Sequence, residues 1–181
     1  MHKAHSLLKH IEDYLLASIF LLMALPLFAL IALLIKVTTR GPILIRQQRQ
    51  GLCGDLFEIY KFNLAPQPSA ATAWVKRTNL DELPQLFNVL KGEMSMVGPR
   101  PQIPEYNQHC QSVIGDYHQR HQLKPGITGL AQINGLRGPS ESEQQLRRRV
   151  ALERYYQQNS SLGFDLWIIL RTVCCSLRHP R

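Results

Sequence analysis

The stretch YLLASIFLLMALPLFALIALLI, from Tyr14 to Ile35, carries no charged side chain and decides how this chain folds. As a straight helix it would be about 33 Å long at about 1.5 Å per residue, and the hydrocarbon core of a bilayer is about 30 Å thick. The stretch is too long for the apolar region of a cleaved signal peptide, and Lys36–Arg40 offers no small-residue cleavage site. The sequence therefore predicts a membrane helix.

Pro26 lies near the middle of this helix. It has no N–H to donate to the carbonyl of Leu22, and its ring clashes with that turn, so we expect a kink. A kinked helix can cross the bilayer with a bend, or it can turn back so that both ends stay on one face. The residues alone leave the spanning and the re-entrant geometry open.

The charges that flank the apolar stretch indicate where the rest of the chain lies. Four basic residues follow before any acidic one: Lys36, Arg40, Arg46 and Arg49. Positive charge next to a membrane segment marks the cytoplasmic side, so we expect the main domain in the cytoplasm. The other flank is uninformative, because Lys3 and Lys9 are offset by Glu12 and Asp13.

The bulk composition limits the size and the partners of the molecule. At 181 residues the chain is long enough for one domain with a real core. Its 21 Lys and Arg against 13 Asp and Glu give a net charge of +8, which indicates an anionic partner: nucleic acid, lipid headgroups or a phosphorylated substrate. The 4 cysteines show no CxxC spacing, so we expect reduced thiols rather than a zinc site or a disulfide framework.

The part after the membrane helix is predicted to be a mostly helical α/β domain with one small β-hairpin. The hairpin joins Ile43–Gln47 to Leu56–Phe62 through turn residues Gly51–Asp55, with Lys61 at its end. The predicted irregular segments are Ala65–Ala71, Pro99–Pro104, Lys124–Gly129 and Asn134–Pro139. The predicted helices are Asp81–Lys91 ended by Gly92, Glu105–Gln122 with a weak point at Gly115, Ser140–Gln158 and Phe164–Leu177.

Two of these helices carry predictions about exposure. The surface of Ser140–Gln158 is expected to be dominated by the charged residues Arg147, Arg148, Arg149, Glu153 and Arg154. Trp167, on the last and most apolar helix, suits a membrane interface, and a core position is an equally good interpretation.

Adjacent carboxylates in the run Thr78–Leu86 are the strongest candidates for chemistry. Asp81 is predicted at a helix N-terminus, where the positive potential favours its carboxylate form, and a carboxylate can attack phosphorus. Glu82 could help to hold a divalent metal or move a proton. The alternative is structural, because Asp and Glu are common in first helical turns.

Four basic residues are candidates to neutralise a pyrophosphate: Lys61, Lys76, Arg77 and Arg100. Arginine offers two donors to a phosphate and lysine a point charge. Each of them could instead be an ordinary surface cation. Neither a P-loop nor a dinucleotide-binding glycine pattern is present in the sequence.

The motifs taken together resemble those of the bacterial sugar transferase family, the monotopic phosphoglycosyl transferases. The matching stretches are Ile59–Phe62, Leu80–Leu86, Asn88–Ser95, Val97–Pro101, Lys124–Gly135, Tyr155-Tyr156 and the region of Asp165. The resemblance covers nearly the whole chain. It is closest to the minimal form of the family, without the extra N-terminal membrane domain of larger relatives.

The resemblance implies an activity and a role for several residues. Members transfer a sugar 1-phosphate from a UDP-sugar to undecaprenyl phosphate and release UMP, as the first membrane step of exopolysaccharide, O-antigen or glycoprotein glycan synthesis. Asp81 would be the nucleophile that attacks the β-phosphorus, and Glu82 would assist with Mg²⁺ bound at the pair. Arg100, with Pro99 in the Pro-Arg-Pro turn, would face the phosphates, and Lys76 holds the basic position five residues before Asp81.

The resemblance also implies an architecture. Residues 1–40 would form a re-entrant membrane helix broken at Pro26, and residues 41–181 a cytosolic catalytic domain whose helices lie at the membrane interface. The location would be the cytoplasmic face of the bacterial inner membrane. A homo-oligomer is left open, and no nucleic-acid partner is expected.

Two other functions compete with an active transferase. The stretch Asn63–Leu80 is shorter than in the family, which favours a catalytically impaired membrane scaffold or partner. The net charge alone would suit a membrane-anchored nucleic-acid binder, but the cations are scattered and no nucleic-acid-binding module is recognisable. The sequence offers no residue from which the sugar could be identified.

Overall fold

The computed structural model of the chain describes residues 2–38, 41–64, 69–138 and 142–178, with side chains from residue 7 to residue 175. Arg40, the first part of the predicted irregular segment at Ala65–Pro68, Pro139 and Ser140 lie outside the described residues.

The described part of the chain is mostly helical with two small sheets, which confirms the mostly helical α/β part of the predicted fold class. The helices are α1 (His2–Thr38), α2 (Ala70–Arg77), α3 (Gln85–Leu90), α4 (Pro104–Val113), α5 (Leu130–Ile133), α6 (Glu143–Asn159) and α7 (Leu162–Arg178). The strands are β1 (Leu44–Gln50), β2 (Leu56–Phe62), β3 (Ser95–Val97) and β4 (Gly126–Thr128). Turns of 3-10 helix occupy Leu52–Gly54, Leu80–Glu82 and Tyr117–Gln122.

Helix α1 is continuous through Pro26 in the structure. Over Leu7–Thr38 it is, among the described helices, the one long and apolar enough to cross a membrane by length and composition. One side of it packs against the domain along its length, with Ala17, Ile31 and Ile35 almost fully buried. The opposite side exposes Leu22, Leu30 and other large apolar residues to the surroundings.

The predicted hairpin is confirmed. Strands β1 and β2 pair antiparallel, with Leu44 opposite Phe62 and Gln50 opposite Leu56. Asn88 of α3 completes the outer edge of β2, because its side chain accepts from the Tyr60 amide (3.1 Å) and donates to the Glu58 carbonyl (2.6 Å). This link fixes Lys61, the next residue of β2, relative to α3.

The segment before the acid pair differs from the prediction. Ala70 and Ala71 begin α2, a short helix that is capped by the Ser69 side chain accepting from the Thr72 amide. The predicted helix Asp81–Lys91 is divided into the 3-10 turn Leu80–Glu82 and α3. Gly92, at φ +80°, follows the end of α3, as predicted.

The segment Lys124–Gly129 was predicted to be irregular, but it contains strand β4. Strands β3 and β4 pair in parallel, with Ser95 beside Gly126 and Val97 beside Thr128. A Cβ atom on Gly98 would lie 2.4 Å from the Lys124 carbonyl oxygen, so these backbones approach closely because glycine is present. Helix α4 ends before the weak point at Gly115, and the chain continues as the 3-10 turn Tyr117–Gln122.

Helices α6 and α7 correct two expectations about exposure. Arg149 and Glu153 were predicted on the surface of α6, but they are 0% and 5% exposed. Trp167 is 45% exposed on α7, so the core interpretation of this residue is wrong. The cysteines that the structure describes are all free thiols.

The main core joins elements from the beginning, the middle and the end of the described chain. It includes Ala17 of α1, Ile59 of β2, Val89 of α3, Met96 of β3 and Ile168 of α7. A second cluster packs Ile31 and Ile35 of α1 against Phe62 and Val75. The acid pair lies beside this second cluster, where α2, β2 and α3 meet.

Candidate active site

The acid pair is presented by a sharp turn rather than by a regular helix start. Asn79, between α2 and the 3-10 turn, has φ +58°, a left-handed conformation that asparagine adopts more readily than most residues. The amide of Glu82 donates to the Asn79 carbonyl, which closes the turn. Asp81 and Glu82 are both partly buried there.

Glu82 is held by two of the predicted phosphate-binding cations. Arg100 donates to both carboxylate oxygens, at 3.1 Å from Nη1 to Oε2 and 2.6 Å from Nη2 to Oε1. Lys61 donates to Oε1 at 2.8 Å. The sequence separates these residues by 18 and 21 positions, and the fold brings them together around one carboxylate.

The two neighbouring acids differ in their protonation. Burial would raise the pKa of Glu82, but the ion pairs with Arg100 and Lys61 lower it to about 2. Burial and the adjacent negative charge of Glu82 raise the pKa of Asp81 to about 6, although Lys61 and Arg100 oppose the change. The positive potential expected at a helix start therefore does not dominate at Asp81.

Because their pKa values differ, Asp81 and Glu82 are suited to different chemistry. Glu82 stays ionised at neutral pH and orients two cations, so it is poorly suited to carry a proton. Asp81 is a carboxylate at pH 7 whose charge is only partly offset, which is the state needed of an oxygen nucleophile.

A cavity of about 300 Å³ opens beside the pair. Its charged lining consists of one carboxylate, Glu82, and the cations Arg49, Lys61, Arg100 and Arg137. Burial lowers the pKa of Arg49, and the nearby cation Arg100 lowers it further, so the cations are close enough to repel one another. The surplus of positive charge indicates a site for an anion.

The rest of the lining is mixed. Gln85 and Gln102 supply amide groups, and Ile59, Ile103 and Tyr106 form an apolar wall. A pocket with an apolar wall and a few converging polar groups is typical of small-molecule sites.

Not every predicted site residue lines this cavity. Among the residues that the structure describes, the lining includes none of Asp81, Lys76, Arg77 and Pro99, although Asp81 is the chain neighbour of the lining residue Glu82. Lys76 and Arg77 lie in the last turn of α2 with exposed side chains. Pro99 lines a smaller cleft next to Arg100, and its carbonyl accepts from the Gly126 amide.

Arg49 and Arg137 were missed as site residues. The sequence indicates Arg49 only as a charge that flanks the membrane segment, yet in the structure it lies near the end of β1, close enough to Arg100 for electrostatic repulsion. Arg137 lies within the predicted loop Asn134–Pro139. The local sequence of neither residue indicates that the fold brings it to Glu82.

A magnesium ion bound at the acid pair would need further ligands from the substrate, because Glu82 already accepts from Arg100 and Lys61. Magnesium usually binds one or two carboxylates together with phosphate oxygens and water. The described residues contain no group of three or more His, Cys, Asp or Glu side chains able to hold a metal by themselves. Burial and the negative charge of Glu82 raise the pKa of Asp81, and a cation next to Asp81 would offset that negative charge.

Comparison with known proteins identifies the same family that the sequence motifs resemble. The model of the bacterial sugar transferase family matches residues 4–179. The chain is 38% identical over 183 residues to the UDP-glucose:undecaprenyl-phosphate glucose-1-phosphate transferase of Escherichia coli (strain K12), covering 92% of this chain and 39% of the relative. An identically named protein of Caulobacter vibrioides is 40% identical, covering 94% of this chain and 70% of that protein.

Relatives of similar length also match. The exopolysaccharide production protein PSS of Rhizobium leguminosarum bv. phaseoli is 38% identical, covering 89% of this chain and 90% of the relative. In contrast, the chain spans about two fifths of the length of the Escherichia coli and Klebsiella pneumoniae relatives, at 39% each.

Proposed function

Because the chain belongs to the bacterial sugar transferase family, we propose that it transfers a sugar 1-phosphate from a UDP-sugar to undecaprenyl phosphate and releases UMP. The transfer would be the first membrane step in building a surface glycan. The names of three relatives, two glucose-1-phosphate transferases and an exopolysaccharide production protein, support this class of reaction.

The observation that carries the proposal is the cationic cavity next to Asp81. Four cations surround one carboxylate there, and that carboxylate holds two of them in place. A diphosphate brings the negative charge that such a cavity lacks, and arginine and lysine are its usual ligands. The apolar wall with Tyr106 offers a surface for the uracil ring.

The proposed reaction has two displacements at phosphorus. In the first, a carboxylate oxygen of Asp81 attacks the β-phosphorus, and the bond from phosphorus to the bridging oxygen breaks. UMP leaves with that electron pair and an aspartyl phosphosugar remains. In the second, a phosphate oxygen of undecaprenyl phosphate attacks the same phosphorus, which yields the undecaprenyl diphosphate sugar and restores the Asp81 carboxylate.

The cations around Glu82 act on the leaving group. Arg100 and Lys61 are fixed by Glu82, so they need little rearrangement to stabilise the charge that develops on UMP. Asp81, with Glu82 beside it, would hold Mg²⁺, and the metal would neutralise phosphate charge. Lys76 and Arg77 are exposed on α2 next to the acid pair, where they can contact the phosphate of the incoming lipid.

We also propose that α1 is re-entrant, with both ends on the cytoplasmic face of the bacterial inner membrane. Near its start, Lys9 pairs with Asp165 of α7 (2.5 Å) and Asp13 accepts from the Met96 amide (2.9 Å). Near its end, Ile35 packs in the cluster that contains Phe62. Contacts of both ends with one domain support a helix that enters and leaves on the same side.

The bend itself is proposed at Pro26, where the helix cannot form a normal hydrogen bond to Leu22. The exposed apolar face of α1 would lie in lipid. On α7, Leu166, Trp167, Leu170 and Val173 are exposed, and this face would lie at the membrane interface. The acceptor lipid would then reach Asp81 from the membrane.

The test is to incubate purified protein in detergent or lipid with Mg²⁺, undecaprenyl phosphate and a panel of UDP-sugars, and to measure UMP release. We expect release with at least one sugar. Folded protein that releases no UMP across a broad panel would favour the scaffold function suggested by the short Asn63–Leu80 stretch. A phosphosugar adduct on the peptide containing Asp81, detected by mass spectrometry without acceptor lipid, would test the covalent step.

A further inference from the structure

Three charged side chains are buried behind the cationic cavity and take no part in the proposed reaction. Arg120, Arg149 and Glu153 are 7%, 0% and 5% exposed. We call them the buried triad. Burying charges is costly even when they are paired, and here two cations meet one anion.

Glu153 joins the two arginines of the buried triad. Arg120 donates to it in a two-point arrangement, at 2.9 Å from Nε to Oε2 and 2.8 Å from Nη2 to Oε1. Arg149 is held more loosely, with its Nε 3.5 Å from Oε1 of Glu153. One carboxylate of α6 thus anchors both guanidinium groups and leaves one positive charge in excess.

Each arginine reaches outward to the backbone that forms the cavity wall. Nη2 of Arg120 donates to the backbone carbonyl of Arg100 at 2.8 Å. Nη1 of Arg149 donates to the carbonyl of Gly138, the residue after Arg137, at 3.2 Å. Arg100, Arg137 and Gly138 all line the cavity.

Arg149 also contacts a third part of the wall. With the Gln102 amide turned so that its oxygen faces the guanidinium, this oxygen accepts from Nη2 at 2.5 Å and from Nη1 at 3.2 Å. The backbone of Gln102 accepts in turn from Gln50, the neighbour of Arg49. The buried triad therefore contacts the segments that carry Arg100 and Arg137 directly, and it is linked to the strand of Arg49 through the backbone of Gln102.

We propose that the buried triad positions these cations for a diphosphate and adds its own excess positive charge to the cavity. This inference rests on the proposed function, because it assumes that the cavity binds the nucleotide part of the substrate. The three residues are positioning residues and do not touch the substrate. Electrostatic attraction from a buried charge is weakened less by water and salt than attraction from a surface charge.

A purely structural role is the competing explanation. Replacement of buried ion pairs by apolar residues is often neutral or stabilising, so stability alone does not distinguish the two roles. The discriminating quantity is the affinity of folded protein for a nucleotide. UMP is a suitable probe, because it is common to all UDP-sugars and its binding does not require turnover.

The experiment compares Arg120→Met and Arg120→Lys with Arg154→Met as a matched control. Arg154 lies on α6, beside Glu153, and pairs with Asp116, the residue before the 3-10 turn that carries Arg120. The Arg154–Asp116 pair is partly exposed and does not line the cavity. The dissociation constant of UMP is measured by calorimetry below the unfolding temperature of each variant. KM and kcat are added for a UDP-sugar that the wild type turns over.

We expect Arg120→Met to weaken UMP binding by about tenfold or more, the equivalent of one charge-assisted contact, and to raise KM more than it lowers kcat. Arg120→Lys keeps the charge and should recover part of the affinity. Arg154→Met should bind UMP like the wild type. If Arg120→Met fails to fold, Arg149→Met carries the same expectation.

The outcomes separate this inference from the proposed function. Wild-type affinity in folded Arg120→Met or Arg149→Met, or equal loss in Arg154→Met, would overturn the positioning role. Absence of UMP binding to the wild type would instead overturn the proposed function on which the inference rests.

Discussion

At the residue scale, the neighbours Asp81 and Glu82 have opposite electrostatic surroundings. Glu82 takes up the positive charge of Arg100 and Lys61, while Asp81 experiences burial and the negative charge of Glu82. Glu82 therefore holds two cations in place, and the negative charge of Asp81 is only partly compensated. Asp81 therefore has two testable properties, its role as a nucleophile and its raised pKa.

The role of Asp81 as nucleophile is tested by removing its carboxylate. Asp81→Asn keeps the shape of the side chain but removes the nucleophilic oxygen, so UMP release should fall by about a thousandfold or more while UMP binding is kept. Release is measured with an active UDP-sugar and binding by calorimetry. Asp55→Asn, in the exposed hairpin turn, is the matched control and should remain active. Residual release above a tenth of the wild-type rate in Asp81→Asn would contradict the nucleophile assignment.

The raised pKa of Asp81 is tested through the pH dependence of activity. As the proposed nucleophile, Asp81 acts as the carboxylate, and burial and Glu82 raise its pKa to about 6, so we expect activity to be low below pH 6 and to rise as the pH passes through that value. The pH dependence of kcat/KM should therefore have an acidic limb near 6 rather than near the ordinary aspartate value of about 4. A limb near 4 would show that Asp81 is not held in this environment. Glu82 remains ionised throughout this range.

At the element scale, the site depends on how β2 is joined to α3. Asn88 is fully buried, and its amide replaces a missing strand along β2, at Tyr60 and Glu58. Asn88→Ala would leave these backbone groups without partners, at a cost of about 2 to 3 kcal/mol in the free energy of unfolding. Denaturant titration in detergent measures this change.

The matched control for this prediction is Asn159→Ala. Its amide also donates to a backbone carbonyl, that of Tyr155, but on the exposed surface of α6, where water can replace it. We expect a change below about 0.5 kcal/mol. Because Lys61 follows Tyr60, Asn88→Ala should also weaken UMP binding in protein that is still folded. Equal destabilisation by the two substitutions would contradict the proposed role of Asn88.

The elements themselves were predictable to different degrees. The apolar stretch in α1 and the alternation in β2 gave clear patterns, and both elements are present. Strand β4 was missed because three residues between Pro125 and Gly129 resemble a loop, and pairing with β3 makes them a strand. Leu146, Val150 and Tyr156 follow helical spacing on α6, so this periodicity could have revealed that Arg149 and Glu153 share the buried face.

At the scale of the whole molecule, the contacts of α1 determine the expected topology. In a protein that keeps Cys53 alone, this exposed cysteine serves as the reference for the cytoplasmic face. Leu8→Cys and Lys36→Cys, added one at a time, lie at the two ends of α1. A membrane-impermeant maleimide should label both in inverted vesicles and neither in right-side-out vesicles.

Leu22→Cys, in the exposed apolar face of α1, is the control and should be protected from both sides. Labelling of Leu8→Cys from the periplasmic side would show that α1 spans the membrane and would contradict the re-entrant geometry. The network of Lys9, Asp13 and Asp165 would then need a different explanation.

The sequence by itself determined the membrane helix, the hairpin, the acid pair and the family, because each depends on local order along the chain: an uninterrupted apolar stretch, strict alternation, or motifs in a fixed succession. Only the tertiary structure decided which charges act together. Arg49, Lys61, Arg100 and Arg137 lie far apart in the sequence and meet at one cavity beside Glu82. The physical reason is that the protonation of a carboxylate and the pairing of a cation depend on burial and on neighbours in space.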